Sequence, residues 1–253
     1  MSRHGQLNST YNSVAAIVLG ALFVAIHYYN SLLFLYFPDF VLDMGWLLLS
    51  FYIAGVALII VGSYSHSSRA GLNDLKPTHD YYLTAGLVLL TIGVFSHIID
   101  ATVGLLIDEY PYTVRSLLLL SIRRGVWWLF LAGWSLGLAG CLIVIARRRA
   151  WLGSYGSLKL ARWSQCALAF GAVVVLPAMV SEGLGPLLSS DARSLVYELL
   201  SQFLLYVYPL GVLGLTIGWA VTISMRLGKS VSLFLAFYAI FLIAMAGLFS
   251  IGI

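Results

Sequence analysis

Apolar runs long enough to cross about 30 Å of hydrocarbon, which takes about 20 helical residues at 1.5 Å each, recur along the whole chain. They predict helices over residues 13–37, 44–63, 82–107, 126–146, 164–188, 196–225 and 230–252, with Pro38 and Asp39 in the tight turn after the first. The expected fold class is all-α: a polytopic transmembrane helical bundle of about seven spans, forming one integral membrane domain over residues 1–253. The first run, Ser13 to Phe37, is too long for the apolar core of a signal peptide and has no small-residue cleavage site after it, so it is read as a retained span.

Composition agrees. Of 253 residues, 61% are hydrophobic and 9% charged, against roughly 45–50% and about 25% in a soluble domain. Lipid must therefore solvate the outer face. Orientation follows from where the cations fall. With the N-terminus in the cytoplasm, ten of the fourteen lie inside: Arg3, Arg69, Lys76, Arg147, Arg148, Arg149, Lys159, Arg162, Arg226 and Lys229. Arg115, Arg123, Arg124 and Arg193 lie outside, and the C-terminus is placed there too. The connection from Asp108 to Gly125 goes against this rule with three arginines. Its Ser116–Ile122 core reads either as an interfacial helix or as an early start of the fourth span.

A faint internal repeat runs through the spans. His27 and Asn30 precede the Pro38-Asp39 turn much as His97 and Asp100 precede Asp108-Glu109-Tyr110-Pro111. Trp46 to Ala57 aligns with Trp128 to Ala139, which sets Gly55 on Gly137, and Leu213 to Thr216 aligns with Leu136 to Ala139. Glu182 stands in the fifth span where Asp100 stands in the third. The pattern suggests three helical hairpins followed by a seventh helix, a construction used by transporters.

Ionisable groups inside hydrocarbon cost about 2.5–3.5 kcal/mol at the centre on insertion scales, so those present invite a functional reading. They are His27, His97, Asp100 and Glu182, with the polar Asn30 beside the first. His97 and Asp100, three residues apart, share a helix face and suit a proton relay or a buried ion pair. The plainer reading is that they and Asn30 hydrogen-bond neighbouring helices and fix their packing. His27 and His97 also lie on helices of the same direction at equal depth, ~21–24 Å from the inner ends. Facing imidazoles at that depth would serve as axial ligands of a b-type haem, making the chain an electron-transfer subunit. Glu182, in a Gly- and Pro-rich stretch after Pro177, would line a polar path at a break in the fifth helix or sit near the outer interface at an ordinary kink. Pro209 marks a second expected kink.

Glycines at 133, 137 and 140 and at 211, 214 and 218 give faces for close helix approach. Arg147, Arg148, Arg149, Lys159 and Arg162, interleaved with Trp151, Tyr155 and Trp163, suit a segment lying on anionic headgroups, a cytosolic partner or a nucleic acid. Cys141 and Cys166 form no CxxC pair and read as packing residues. No P-loop, GxSxG, HExxH or dinucleotide fingerprint occurs, and Lys229 lies at the mouth of the last span rather than at its middle, where retinal would need it. An enzyme is therefore not the expectation. A channel, transporter or translocation subunit is, with His27, Asn30, His97, Asp100 and Glu182 on its polar interior, no cofactor, and energy supplied by an ion gradient, a redox partner or a separate ATPase.

In size, span count and lack of an extramembrane domain, the chain resembles the CedA family, polytopic membrane proteins of the crenarchaeal DNA-import system. The resemblance covers the whole chain as architecture. It implies a part of a DNA-translocation machine in an archaeal cell membrane, working beside a motor ATPase and small membrane partners. The basic 147–162 segment would then face the motor or the DNA.

Overall fold

The computed structural model describes residues 3–29, 45–69, 80–108, 117–148, 159–184 and 203–226. These residues form helices α1 (Arg3–Tyr28), α2 (Gly45–Arg69), α3 (Tyr81–Asp108), α4 (Leu117–Ala146) and α5 (Lys159–Leu184), and α6 (Tyr208–Arg226). Five of the six are long and apolar enough to cross a membrane, and α4 carries a shorter apolar stretch, Leu131–Ala146. In a medium that offers no hydrogen bonds, a helix is the local structure that satisfies every backbone group within one segment. The expected seventh span, 230–252, lies outside the described residues, as do Asn30 and Arg149.

The helix ends refine the sequence reading. The run around Ser116 to Ile122 is not a separate interfacial helix: residues from Leu117 onward are continuous with α4, so the fourth helix starts well before residue 126. The fifth helix does not break at Pro177 or Gly183, because α5 continues through both to Leu184. Pro177 is exposed there, and the main-chain hydrogen bond it omits faces outward from the bundle. A π-helical turn, Phe203–Val207, runs directly into α6 just before Pro209, and the wider turn is where the proline's missing N–H is accommodated. At the start of α3, Asp80 Oδ1 accepts the main-chain N–H groups of Tyr82 and Leu83 at 3.0 and 3.1 Å, capping the helix.

The helices associate as hairpins, α1 on α2 and α3 on α4, with α5 against α6. Each hairpin closes on glycine. A Cβ added to Gly55 would stand 2.6 Å from the Gly20 carbonyl oxygen, and one added to Gly137 would stand 2.8 Å from the Gly93 Cα. One at Gly214 would stand 2.9 Å from the Ala167 carbonyl oxygen. No real side chain fits at such distances, so the backbones approach as they do in small-residue membrane interfaces. Gly55, Gly137 and Gly214 are the three positions that the sequence repeat superimposes, and each performs the same packing task.

The hairpins are not equally enclosed. About 28% of the α1 span is buried against 72% of the α6 span, so α1 is a peripheral helix and α6 the central one. Tyr28 of α1 reaches Thr216, and Thr91 of α3 receives a 2.9 Å hydrogen bond from Trp219 Nε1. Thr216 and Trp219 are one turn apart, and that face of α6 closes the seam where the first two hairpins meet.

Candidate functional site: a histidine pair at the junction of two hairpins

At that seam the two intramembrane histidines meet. His27 Nε2 lies 3.1 Å from His97 Nε2, with ring centroids 5.4 Å apart and planes inclined at 76°. The sequence pattern sets His27 in the first hairpin against His97 in the second. Two aromatics that the pattern also sets against each other stand near them. The alignment that sets Trp46 on Trp128 sets Tyr52 on Trp134, and each of these aromatics packs beside the histidine of its own hairpin. Tyr52 is 4.8 Å from His27 and Trp134 is 6.4 Å from His97, centroid to centroid.

Hydroxyls complete the cluster. Tyr28 Oη donates to Tyr52 Oη at 3.3 Å and stands 3.0 Å from Thr216 Oγ1. The Tyr28 ring lies 5.1 Å from that of His97. Tyr52, Trp134 and Thr216 are fully buried and His27 nearly so, so α1, α2, α3, α4 and α6 all contribute to one enclosed site.

The hydrogen-bond inventory constrains its chemistry. If both imidazoles are neutral, one Nε2 carries a proton and the other accepts it, which forces opposite tautomers on two equivalent side chains. His27 Nδ1 is buried and makes no hydrogen bond, although the Leu48 main chain runs close to the ring. An unsatisfied polar atom in such surroundings costs about 1–3 kcal/mol. The 3.1 Å Nε2–Nε2 contact is a hydrogen bond between the two rings.

The other expected site residues are distributed as follows. The backbones of Asp100 and Glu182 are helical in α3 and α5, and their side chains lie outside the described residues. His97 Nε2 meets His27 of the other hairpin. Arg147, Arg148, Lys159 and Arg162 gather at the end of the bundle remote from the histidines, where α4 finishes and α5 begins. Cys141 is buried and bonds the Leu168 carbonyl at 3.4 Å, while Cys166 is exposed; both are free thiols. Sequence reasoning passed over Tyr28, Tyr52, Trp134 and Thr216. For Tyr52 and Trp134 the signal was present, since the repeat places them at equivalent positions, whereas nothing along the chain tied Thr216 to Tyr28.

No family model, no curated protein and no solved structure matches this chain. The architectural resemblance to the CedA family gains no support from those comparisons, and function has to be argued from the chain's own residues.

Proposed function

We propose that this helical membrane protein is an electron-transfer subunit that holds one b-type haem, with His27 and His97 as its two axial ligands. The observation that carries the reading is the 3.1 Å approach of the two Nε2 atoms on two hairpins. A metal between two imidazoles needs them about 4 Å apart, two bonds of about 2 Å, so the pair has to open by roughly 1 Å and the Tyr28 and Tyr52 rings packed around it have to withdraw to admit a macrocycle. Ligand number favours haem over a bare ion. Among the described residues no group of three or more His, Cys, Asp or Glu converges, whereas structural zinc asks the protein for four ligands and catalytic zinc for three. Haem iron asks the protein only for axial ligands, because the macrocycle fills the other positions. Tyr28, Tyr52 and Trp134 make the surroundings of the pair aromatic and largely apolar. Burial excludes water from the site, and His27 and His97 would hold the iron through Nε2 with each Nδ1 protonated.

The test is a reduced-minus-oxidised absorbance spectrum of protein purified from haem-sufficient cells. Soret and α bands of b type are expected at one haem per chain and should vanish in His27→Ala and in His97→Ala, each of which keeps its helical circular dichroism. A colourless wild-type protein, or bands that survive both substitutions, would refute the proposal.

A polar pathway for an ion or a translocated substrate, with a separate ATPase, is the second reading. Two buried groups favour it: Ser63 Oγ and both amide atoms of Gln165 have no hydrogen-bond partner among the described residues. Inside a bilayer such atoms call for water or a polar ligand. Flux through proteoliposomes of the colourless protein, reduced by Gln165→Leu, is the result that would favour this reading over the first.

A further inference from the structure

Exposed aromatic side chains gather at two levels of the bundle. His27 and His97 touch, so depth along α1 and α3 can be counted from that contact. Tyr11 stands sixteen residues before His27 and Tyr81 sixteen before His97, so both lie about 24 Å from the pair at 1.5 Å per residue. Tyr82 shares that level, with its ring 4.4 Å beneath the Arg147 guanidinium where α4 finishes. The contact of Cys141 with the Leu168 carbonyl brings Trp163, near the start of α5, within a turn of Arg147. Tyr81 at 83%, Trp163 at 71%, Tyr11 at 70% and Tyr82 at 65% are the four most exposed aromatics among the described residues. The second level is close to the histidines. Tyr29, two residues past His27, donates its hydroxyl to the carbonyl of the exposed Tyr206 at 3.3 Å. The exposed Trp128 lies nine residues from Gly137, which abuts Gly93; His97 is four residues past Gly93, so Trp128 stands five residues beyond it. Between the levels the large exposed side chains among the described residues are apolar, Val18, Leu22, Val88, Ile92, Leu136 and Phe170 among them.

Tyr and Trp concentrate where headgroups meet hydrocarbon, so the two levels mark the faces of the membrane. Tyr11 and Tyr29 are eighteen residues apart, about 27 Å along a helix, which matches the roughly 30 Å hydrocarbon core of a bilayer. We infer that the histidine pair lies immediately beneath one membrane face, the face at which α1 ends, and is served from that side alone. The partner then follows, resting on the haem reading above: a water-borne electron carrier on that side. About 24 Å of bundle separates the pair from the opposite face, and among the described residues no second histidine pair bridges that depth. One haem so placed exchanges electrons at its own face and does not carry them across.

The test has one arm that needs no haem. Nitroxide labels are placed on Val18→Cys and on Ile26→Cys, both exposed positions of α1, in full-length Cys166→Ser protein reconstituted into bilayers. Relaxation by oxygen against a water-soluble nickel chelate should put the label at residue 18 near the bilayer centre and the label at residue 26 close to a face. Equal depths, or a deeper label at residue 26, would overturn the inference. The second arm uses reduced protein in sealed vesicles, with orientation read by an impermeant maleimide on Arg148→Cys. Ferricyanide, which is impermeant and takes one electron from each ferrous haem, should oxidise the haem from the side where α1 ends and leave it reduced from the Arg148 side. Equal oxidation from both sides, or oxidation from the Arg148 side only, would overturn it. A protein without haem refutes the function proposed above, and the label depths still decide where the pair lies.

Discussion

The junction between α1–α2 and α3–α4 and the contact inside α5–α6 are closed in different ways. Inside α5–α6, as inside the other two hairpins, glycines let helices approach until backbone meets backbone. Between the first two hairpins side chains meet instead, and His27 lies on His97. Inside the third hairpin Val174 and Val175 are buried against Gly211. Imidazoles at the first junction carry a burial cost that valines do not, and this makes them the place to look for function.

The comparison can be broken by experiment. The largest effect is expected from Gly55→Leu, Gly137→Leu or Gly214→Leu, each of which forces a side chain into a gap closed by backbone. Each should lose more than the roughly 1–3 kcal/mol usual for overpacking, seen as aggregation on size exclusion or a collapsed thermal midpoint. If one of the three proves tolerant, the hairpins are not equivalent. Next comes the histidine pair itself in protein purified without haem. His27→Leu alone strands a buried imidazole and should cost about 1–3 kcal/mol, whereas the double variant with His97→Leu removes both partners and should cost less than the single. A double variant that loses the sum of the two singles would show the rings acting independently.

Smaller changes sharpen the picture. Thr216→Val removes the hydroxyl that ties α6 to Tyr28 and should cost about 1 kcal/mol; where haem is bound, it should also shift the spectrum slightly. The smallest effect is expected at Gly125 in α4, where an added Cβ meets nothing within 4 Å. Gly125→Ala should stabilise the helix by about 0.5–1 kcal/mol, which makes it the control for the glycines that close hairpins.

The candidate site was half legible in the chain. His27 and His97 stood out because charge-bearing rings are rare inside apolar runs, and counting residues placed them at one depth. Their partners were hidden for a physical reason. Helix periodicity offers His97 a neighbour in its own helix, Asp100, and gives no hint of His27, which comes from another hairpin. Periodicity reports neighbours within a helix and is silent about those across a seam. The early start of α4 was likewise open, because Ser116 to Ile122 fits an interfacial helix and a helix extension equally well by composition.

Hydropathy by itself determined that these segments are helices, since a chain with no water to bond must satisfy its own backbone. The chain also set the spacing of the glycines. Only the tertiary structure decided where α1 and α4 begin, that α6 is more enclosed than α1, that Tyr28 bonds Thr216, and that Arg147 ties α4 to α3. In lipid, where no hydrophobic force marks the buried face, partners are chosen by close fit between surfaces, and fit is a property of two helices together.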